Sequence, residues 1–221
     1  MARQVALIHT SAMMVGVFKP LCQELLAGAA VFNVVDESLL AAIIRDGRLL
    51  APTARRVVGH VLAAEQAGAD IVMVTCSSIG SAVELAGQLV SIPVVRVDEP
   101  MAAKAVEIGS RIGVVATLRS TLAPTVELIR RLAGLAGKKV QVTDRLCEGA
   151  FEAVVAGDGA THDAKVAAAL RELAGRTDVI VLAQASMARA AETLPKAQAT
   201  VPILSSPRLG VEHLAGMLAK M

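Results

Sequence analysis

The chain has 221 residues, 54% of them hydrophobic and 19% charged, with mean hydropathy +0.59, which excludes intrinsic disorder and leaves length for one large domain or two small ones. Twenty-two Lys and Arg are scattered among 20 Asp and Glu, and only 1% of residues are aromatic, with no Trp or Tyr, so neither an electrostatic footprint nor stacking platforms argue for nucleic acid. The longest stretch free of Asp, Glu, Lys and Arg, residues 5–18, is shorter than the roughly 18–20 residues of a membrane helix, and no bilayer partner is expected.

That stretch is interrupted by His9, Thr10 and Ser11 and no small-residue cleavage site follows it, so it reads as a strand and loop rather than a signal peptide. Cys22, Cys76 and Cys147 are odd in number and far apart, which fits neither a disulfide framework nor a zinc knuckle; a cytoplasmic setting is expected.

In chain order, short Val- and Ile-rich runs at 4–8, 30–35, 71–75, 94–97, 111–116, 139–143, 179–183 and 201–204 alternate with longer amphipathic segments. This is the pattern of parallel strands buried under helices, and it predicts an α/β protein. The residues 53–67 form one such helix, stopped by Gly68, and 163–174 its counterpart. Residues 20–26 predict a helix that packs Cys22 into the core. Ser81-Ala-Val-Glu84 has capping-box spacing and predicts a helix start near Ser81. Asp46-Gly47 and Asp158-Gly159 read as turns, and Asp36, Glu37, Asp98 and Glu99 as helix caps.

The two halves repeat. Val5-Ala-Leu-Ile-His-Thr10 resembles Ile112-Gly-Val-Val-Ala-Thr117 at an offset of 107 residues, Asp70 to Ser78 lies over Asp178 to Ser186 at 108, and Ile92-Pro-Val-Val95 over Val201-Pro-Ile-Leu204 at 109. A shared order and near-constant offset over three strands imply a duplication. Two pseudo-symmetric lobes are expected, each a four-stranded parallel sheet flanked by helices: 1–98 with a C-terminal helix 208–221, and 99–207. No linker rich in Gly, Ser or Pro divides them, so the lobes are expected to pack face to face.

Ligands of open parallel sheets bind beyond the carboxyl ends of the strands. Those ends deliver His9, Thr10 and Ser11, then Asp36 to Ser38 and Thr75 to Ser78; in the second half they deliver Thr117, Cys147 and Gln184 to Ser186. Hydroxyls beside backbone donors suit a carboxylate. Cys76 stands out, because a thiol at a helix start is a nucleophile or base of lowered pKa, although small buried cysteines are also common in cores. Ser77 and Ser78 weigh toward a site, since buried hydroxyls need partners; helix capping is their plainer reading. Cys147 lies near the same face, with core packing as the alternative. His60, His162 and His213 are expected on helix surfaces, and with no H-E-x-x-H or C-x-x-C companion no metal is expected. Gly-rich nucleotide cradles and a G-x-S-x-G elbow are missing too, so no cofactor is expected.

Two similar α/β lobes, Val74-Thr75-Cys76-Ser77-Ser78 after the third strand, and Ile112 to Thr117 opening the second lobe together resemble the aspartate/glutamate/hydantoin racemase superfamily over nearly the whole chain. The resemblance implies a cofactor-independent enzyme, an active site in the cleft between lobes, and two cysteines on opposite faces of a small carboxylic acid. One removes the proton next to the carboxylate and the other returns one. It implies carboxylate binding by Thr10, Ser11, Ser77, Ser78, Thr117 and Ser186; His9, from its place at a strand end, is also expected to touch the ligand. This sequence departs from that pattern at Gln184, where the second cysteine belongs. Either Cys147 fills the place, or one thiol suffices, as in relatives that isomerise or decarboxylate small diacids, with Gln184 orienting the substrate. A two-lobed binder without catalysis is the third reading, and a homodimer is expected.

Overall fold

The computed structural model describes residues 2–192 and 200–221. The chain divides into two compact units, Met1–Glu99 with Pro207–Met221, and Pro100–Ser206. In the first, β1 (Gln4–His9), β2 (Ala30–Val35), β3 (Ile71–Val74) and β4 (Val94–Arg96) form a parallel sheet in the order β2-β1-β3-β4. Its helices are α1 (Met13–Leu25), α2 (Glu37–Asp46), α3 (Ala51–Gln66) and α4 (Gly80–Ala86). In the second, β5 (Arg111–Ala116), β6 (Gln141–Leu146), β7 (Val179–Leu182) and β8 (Ile203–Ser205) repeat the order as β6-β5-β7-β8, also parallel. Its helices α5 (Glu99–Ile108), α6 (Arg119–Leu135), α7 (Ala150–Val155), α8 (Gly159–Ala174) and α9 (Ala188–Glu192) are followed by α10 (Ser206–Leu218), which closes on the first unit. Each predicted strand is present, and the α/β class and its duplication hold at the level of strand order. Among the described residues no helix is long and apolar enough to cross a membrane.

The central strands are buried on both faces, which is why they read as unbroken apolar runs, whereas β2 and β6 are half exposed, as edge strands are. Alternation along β1 and β3 divides the first core in two. Ala6, Ile8, Val72 and Val74 pack under α2, α3 and α4 through Leu39, Ile43, Val57, Val61 and Ala82. Val5, Leu7, Ile71 and Met73 face α1 and α10 through Phe18, Cys22, Val211 and Leu214, so Cys22 is the core residue its helix predicts. Gly68 takes φ +89°, a conformation that costs glycine little, and turns α3 into β3.

Several local expectations need correction. α4 starts at Gly80, one residue before the expected Ser81, after a 3-10 turn, Ser77–Ile79; what differs is the cap, for no side chain caps its first turn and the Glu84 carboxylate accepts from Arg96. Asp98 grips the same guanidinium. β6 runs to Leu146 because six of its residues pair with all six of β5. Asp158 is the α8 cap, accepting from Thr161 N at 2.9 Å. His162 is buried in α8 rather than on its surface, while His60 is half-buried and His213 exposed.

Candidate active site

Cys76 follows β3 in extended conformation, φ −132° and ψ 117°, and hands the chain to the Ser77–Ile79 turn. Gln184 follows β7 at φ −130° and ψ 137° and leads into an equivalent turn, Ala185–Met187. The residues after these turns, Gly80 and Ala188, also share dihedrals within a few degrees. The duplicated backbone therefore presents Cys76 and Gln184 in closely similar conformations, each at the carboxyl end of the third strand of its sheet.

Each faces the threonine that follows the neighbouring first strand. Thr10, buried, hydrogen-bonds the Cys76 thiol. Thr117, likewise buried, is held by Gln184 at two points: its N–H donates to Oε1 at 2.6 Å, and Gln184 Nε2 donates to Thr117 Oγ1 at 2.7 Å. Ser77 and Ser78 are buried in the turn after Cys76, and Ser78 hydrogen-bonds the thiol through backbone and side chain. Ser11 and Ser186 are half-buried at the ends of their own loops. Glu37 pins the first loop by accepting from Ala12 N at 3.0 Å.

Cys76 is half-buried, whereas Cys22 and Cys147 are buried. Burial pushes the Cys76 thiol up; the hydrogen bonds from Thr10 and Ser78 pull it down by less, and the Asp98 carboxylate adds to the rise. The expectation of a lowered pKa at a helix start is thus overturned. A three-residue 3-10 turn offers little dipole, and desolvation wins. At rest the group is a neutral thiol, a proton donor.

Cys147 needs a correction as well. It belongs to the core of the second unit with Val166, Ala150 and Leu182, its thiol donates to Lys165 O at 3.8 Å, and burial pushes it to about 11 against the charges of Arg145 and Lys165. Those surroundings match packing, not proton exchange. His9 too is enclosed. Its Nδ1 lies 2.7 Å from Thr75 Oγ1, its Nε2 2.9 Å from Asn33 Oδ1, and its ring centroid 5.7 Å from that of Phe18. Burial lowers its pKa, with the Asn33 bond opposing. With no exposed surface, His9 meets Thr75, the residue before Cys76, and offers no face to a ligand.

Sequence reasoning missed Arg96, a buried cation at the end of β4, and Asn33. The signal for the first was present: Arg96 and Asp98 are two apart in an otherwise apolar strand segment, which puts both on one side.

At the level of known structures the same architecture recurs. The glutamate racemase isoform RacE1 of Bacillus anthracis is 20% identical with TM-score 0.69, over 99% of this chain and 82% of that one. A protein of Yersinia pestis described as an Asp/Glu racemase is 13% identical with TM-score 0.75, over 98% and 99%. The allantoin racemase of Klebsiella pneumoniae is 18% identical with TM-score 0.73, over 99% and 88%. These likenesses show the fold. No curated protein sequence gives a significant match. The family described as Asp/Glu/Hydantoin racemase matches residues 6–214, a span that includes both copies of the duplicated sheet and both the Cys76 and Gln184 turns. With nearly its whole length matched, the chain belongs to the Asp/Glu/hydantoin racemase family, a family of racemase-type enzymes.

Proposed function

We propose that the protein is a cofactor-independent racemase or isomerase of a small amino acid or related carboxylic acid, with the Cys76 thiol exchanging a proton at the carbon beside the carboxylate. The observation that carries this reading is the placement of Cys76. It is the half-buried thiol of the three, it stands at the carboxyl end of a central parallel strand, and it is hydrogen-bonded by Thr10 and Ser78. A proton next to a carboxylate is very weakly acidic, so the site must stabilise an enediolate while a base takes the proton. Buried hydroxyls and turn N–H groups at Thr10, Ser77 and Ser78 are suited to hold that charge. The names of the structural relatives point to amino acids and to allantoin as the range of compounds to examine.

A second reading is favoured by one feature. Gln184 occupies the place equivalent to Cys76, and an amide does not exchange protons as a thiol does. A single neutral thiol is matched to protonating one face of an enediolate, as in a decarboxylase of a small diacid.

The test is incubation of the purified protein with a panel of small amino, hydroxy and dicarboxylic acids in heavy water. Racemisation or isomerisation puts deuterium beside the carboxylate of recovered substrate and is lost in Cys76→Ala. Label confined to a decarboxylated product selects the second reading, and turnover that persists in Cys76→Ala removes both.

A further inference from the structure

Behind the Cys76 turn lies a buried ion pair that neither reading of the reaction uses. Arg96, at the end of β4 beside Val74, donates Nε to Asp98 Oδ1 at 3.1 Å and Nη2 to Oδ2 at 3.0 Å. The side chains are 7% and 1% exposed. On its outer side the guanidinium donates Nη1 to Glu84 Oε1 of α4 at 2.5 Å.

The guanidinium also rests on the backbone of the turn. A Cβ placed at Gly80 would collide with Arg96 Cζ and Nη2. Gly80 has φ −55° and ψ −40°, ordinary helical values that any residue adopts, so glycine is needed here for the close approach of Arg96 and not for its dihedrals. The second unit supplies the comparison. There Ala188 stands where Gly80 does, and Ser205, paired with Leu182 as Arg96 is with Val74, stands where Arg96 does. Cation, carboxylate and glycine seat occur together in the half that carries the thiol, and in the half that carries Gln184 the equivalents of the seat and the cation are Ala188 and Ser205.

Taking two charges out of water is costly, and a buried ion pair is weak support for stability. Its location gives it another use. We propose that Arg96 and Asp98 are a positioning pair for Cys76: Arg96, seated on Gly80, neutralises Asp98 and fixes its carboxylate beside the Cys76 turn, so that the pair governs how readily the thiol gives up its proton. This inference rests on the reading of Cys76 as the proton-exchanging group.

Thr10 comes from the end of β1 and Ser78 from the turn, and both hydrogen-bond the sulfur; Asp98 comes from the segment after β4 and disfavours the thiolate. Arg96 lies behind Asp98, Glu84 lies beyond Arg96, and His9 is bonded to Thr75. Among these Asp98 is the carboxylate that acts on Cys76, and Arg96 its direct counter-charge.

The test is the pH dependence of Cys76 alkylation by iodoacetamide, read on the Cys76 peptide by mass spectrometry in the intact chain. It needs no substrate, so its failure is separate from failure of the proposed reaction, which the heavy-water experiment reads. Asp98→Asn removes a like charge and is expected to lower the alkylation midpoint by roughly one pH unit. Arg96→Gln leaves Asp98 without its counter-charge and is expected to raise it. Arg96→Lys keeps the charge but not the two-point grip, and is expected to raise it by a smaller amount; it also serves if either of the other variants does not fold. A midpoint equal to wild type in the folded variants overturns the proposal and leaves the pair as a brace between β4 and α4.

Discussion

The Gln184 carboxamide closes on Thr117 at both of its ends, with Oε1 2.6 Å from the backbone nitrogen and Nε2 2.7 Å from the hydroxyl. In the other half the equivalent threonine, Thr10, meets a thiol. The duplicated backbone thus carries two different groups at one place, a thiol in one copy and a fixed amide in the other. The engaged amide has one N–H left to offer, which suits it to orienting a bound group.

The first prediction follows from this near-identity of backbone. Gln184→Cys sets a sulfur at dihedrals close to those of Cys76, with a threonine hydroxyl facing it. On a substrate that the wild type accepts, this variant is expected to exchange the proton beside the carboxylate with solvent about 10²-fold faster, the low end of what a positioned acid or base contributes. Nuclear magnetic resonance of substrate in heavy water measures it. An unchanged exchange rate would mean that position 184 does not address the reacting carbon.

A second prediction concerns Cys76 itself. Cys76→Ser, whose hydroxyl is a far weaker acid, is expected to lower kcat/KM by about 10²- to 10⁴-fold, while Cys22→Ala, in the core against α10, keeps the wild-type value. Because burial raises the thiol, it is protonated through neutral pH. If proton removal limits the reaction, kcat/KM rises as pH climbs toward the thiol's raised pKa; if proton donation limits it, kcat/KM falls over the same range. A profile flat from neutral to alkaline pH would exclude Cys76 from the limiting step.

Much of this arrangement is visible in residue order alone. Strands β1, β3, β5 and β7 stand out because burial on both faces demands unbroken Val and Ile, and the repeat of Asp70 to Ser78 in Asp178 to Ser186 locates Cys76 against Gln184. What pattern does not convey is burial of polar groups. His162 sits in a helix whose apolar stripe it interrupts, yet it is fully buried; its Nδ1 lies 2.8 Å from Asp163 Oδ1. Cys147 and Cys76 both follow strands, and the difference between them, a hydrocarbon core against a half-open turn lined by hydroxyls, is tertiary. Glu84 has the spacing of a capping partner, but a buried guanidinium three-dimensionally nearby outcompetes a surface cap.

The third prediction is an alkaline one. Cys147 titrates in the folded chain at about 11, above an ordinary thiol at 9.0. Its raised value means that the folded state holds the proton longer than the unfolded state does. The associated stability is complete below pH 9 and declines as pH rises from 9.0 toward 11. Urea midpoints measured across that range are expected to fall in the wild type and to fall less steeply in Cys147→Ala. Equal slopes would place the thiol in water rather than in the α7–α8 core.

At the other end of the scale, Asp36 contributes. Burial alone would raise its carboxyl, but hydrogen bonds from Ser38 and His60 and the charge of Arg56 outweigh this and hold it at about 2. A carboxyl held below its usual 3.8 favours the folded state above that pH and loses its effect as pH falls toward 2. Asp36→Asn is therefore expected to reduce the stability difference between pH 5 and pH 2, roughly the window between the two values, as followed by circular dichroism of the thermal transition. The same substitution leaves Arg56 with one fewer anionic partner near the end of β2.

His9 carries the last prediction, because it joins stability to the site. Its neutral ring is enclosed between Thr75, Asn33 and Phe18, and Thr75 also donates to Ile8 O at 3.1 Å. His9→Leu removes two hydrogen bonds, leaving the exposed Asn33 carboxamide to bond water and the buried Thr75 hydroxyl with its bond to Ile8 O alone, a loss of about 1–2 kcal/mol at neutral pH. The sign of the pH effect follows from burial, which lowers the His9 pKa below 6.5. The unfolded chain binds a proton there before the folded chain does, so this contribution is full above 6.5 and declines as pH falls through and below it. The gap in unfolding free energy between wild type and His9→Leu should accordingly narrow from pH 7.5 to about pH 5. Since Thr75 precedes Cys76, the variant should also shift the alkylation midpoint of Cys76, whereas a substitution of comparable cost in the α10 core, such as Leu214→Ala, should not. A constant gap with pH would show that the imidazole is hydrated, and an unmoved midpoint would show that Thr75 holds the Cys76 turn without its help.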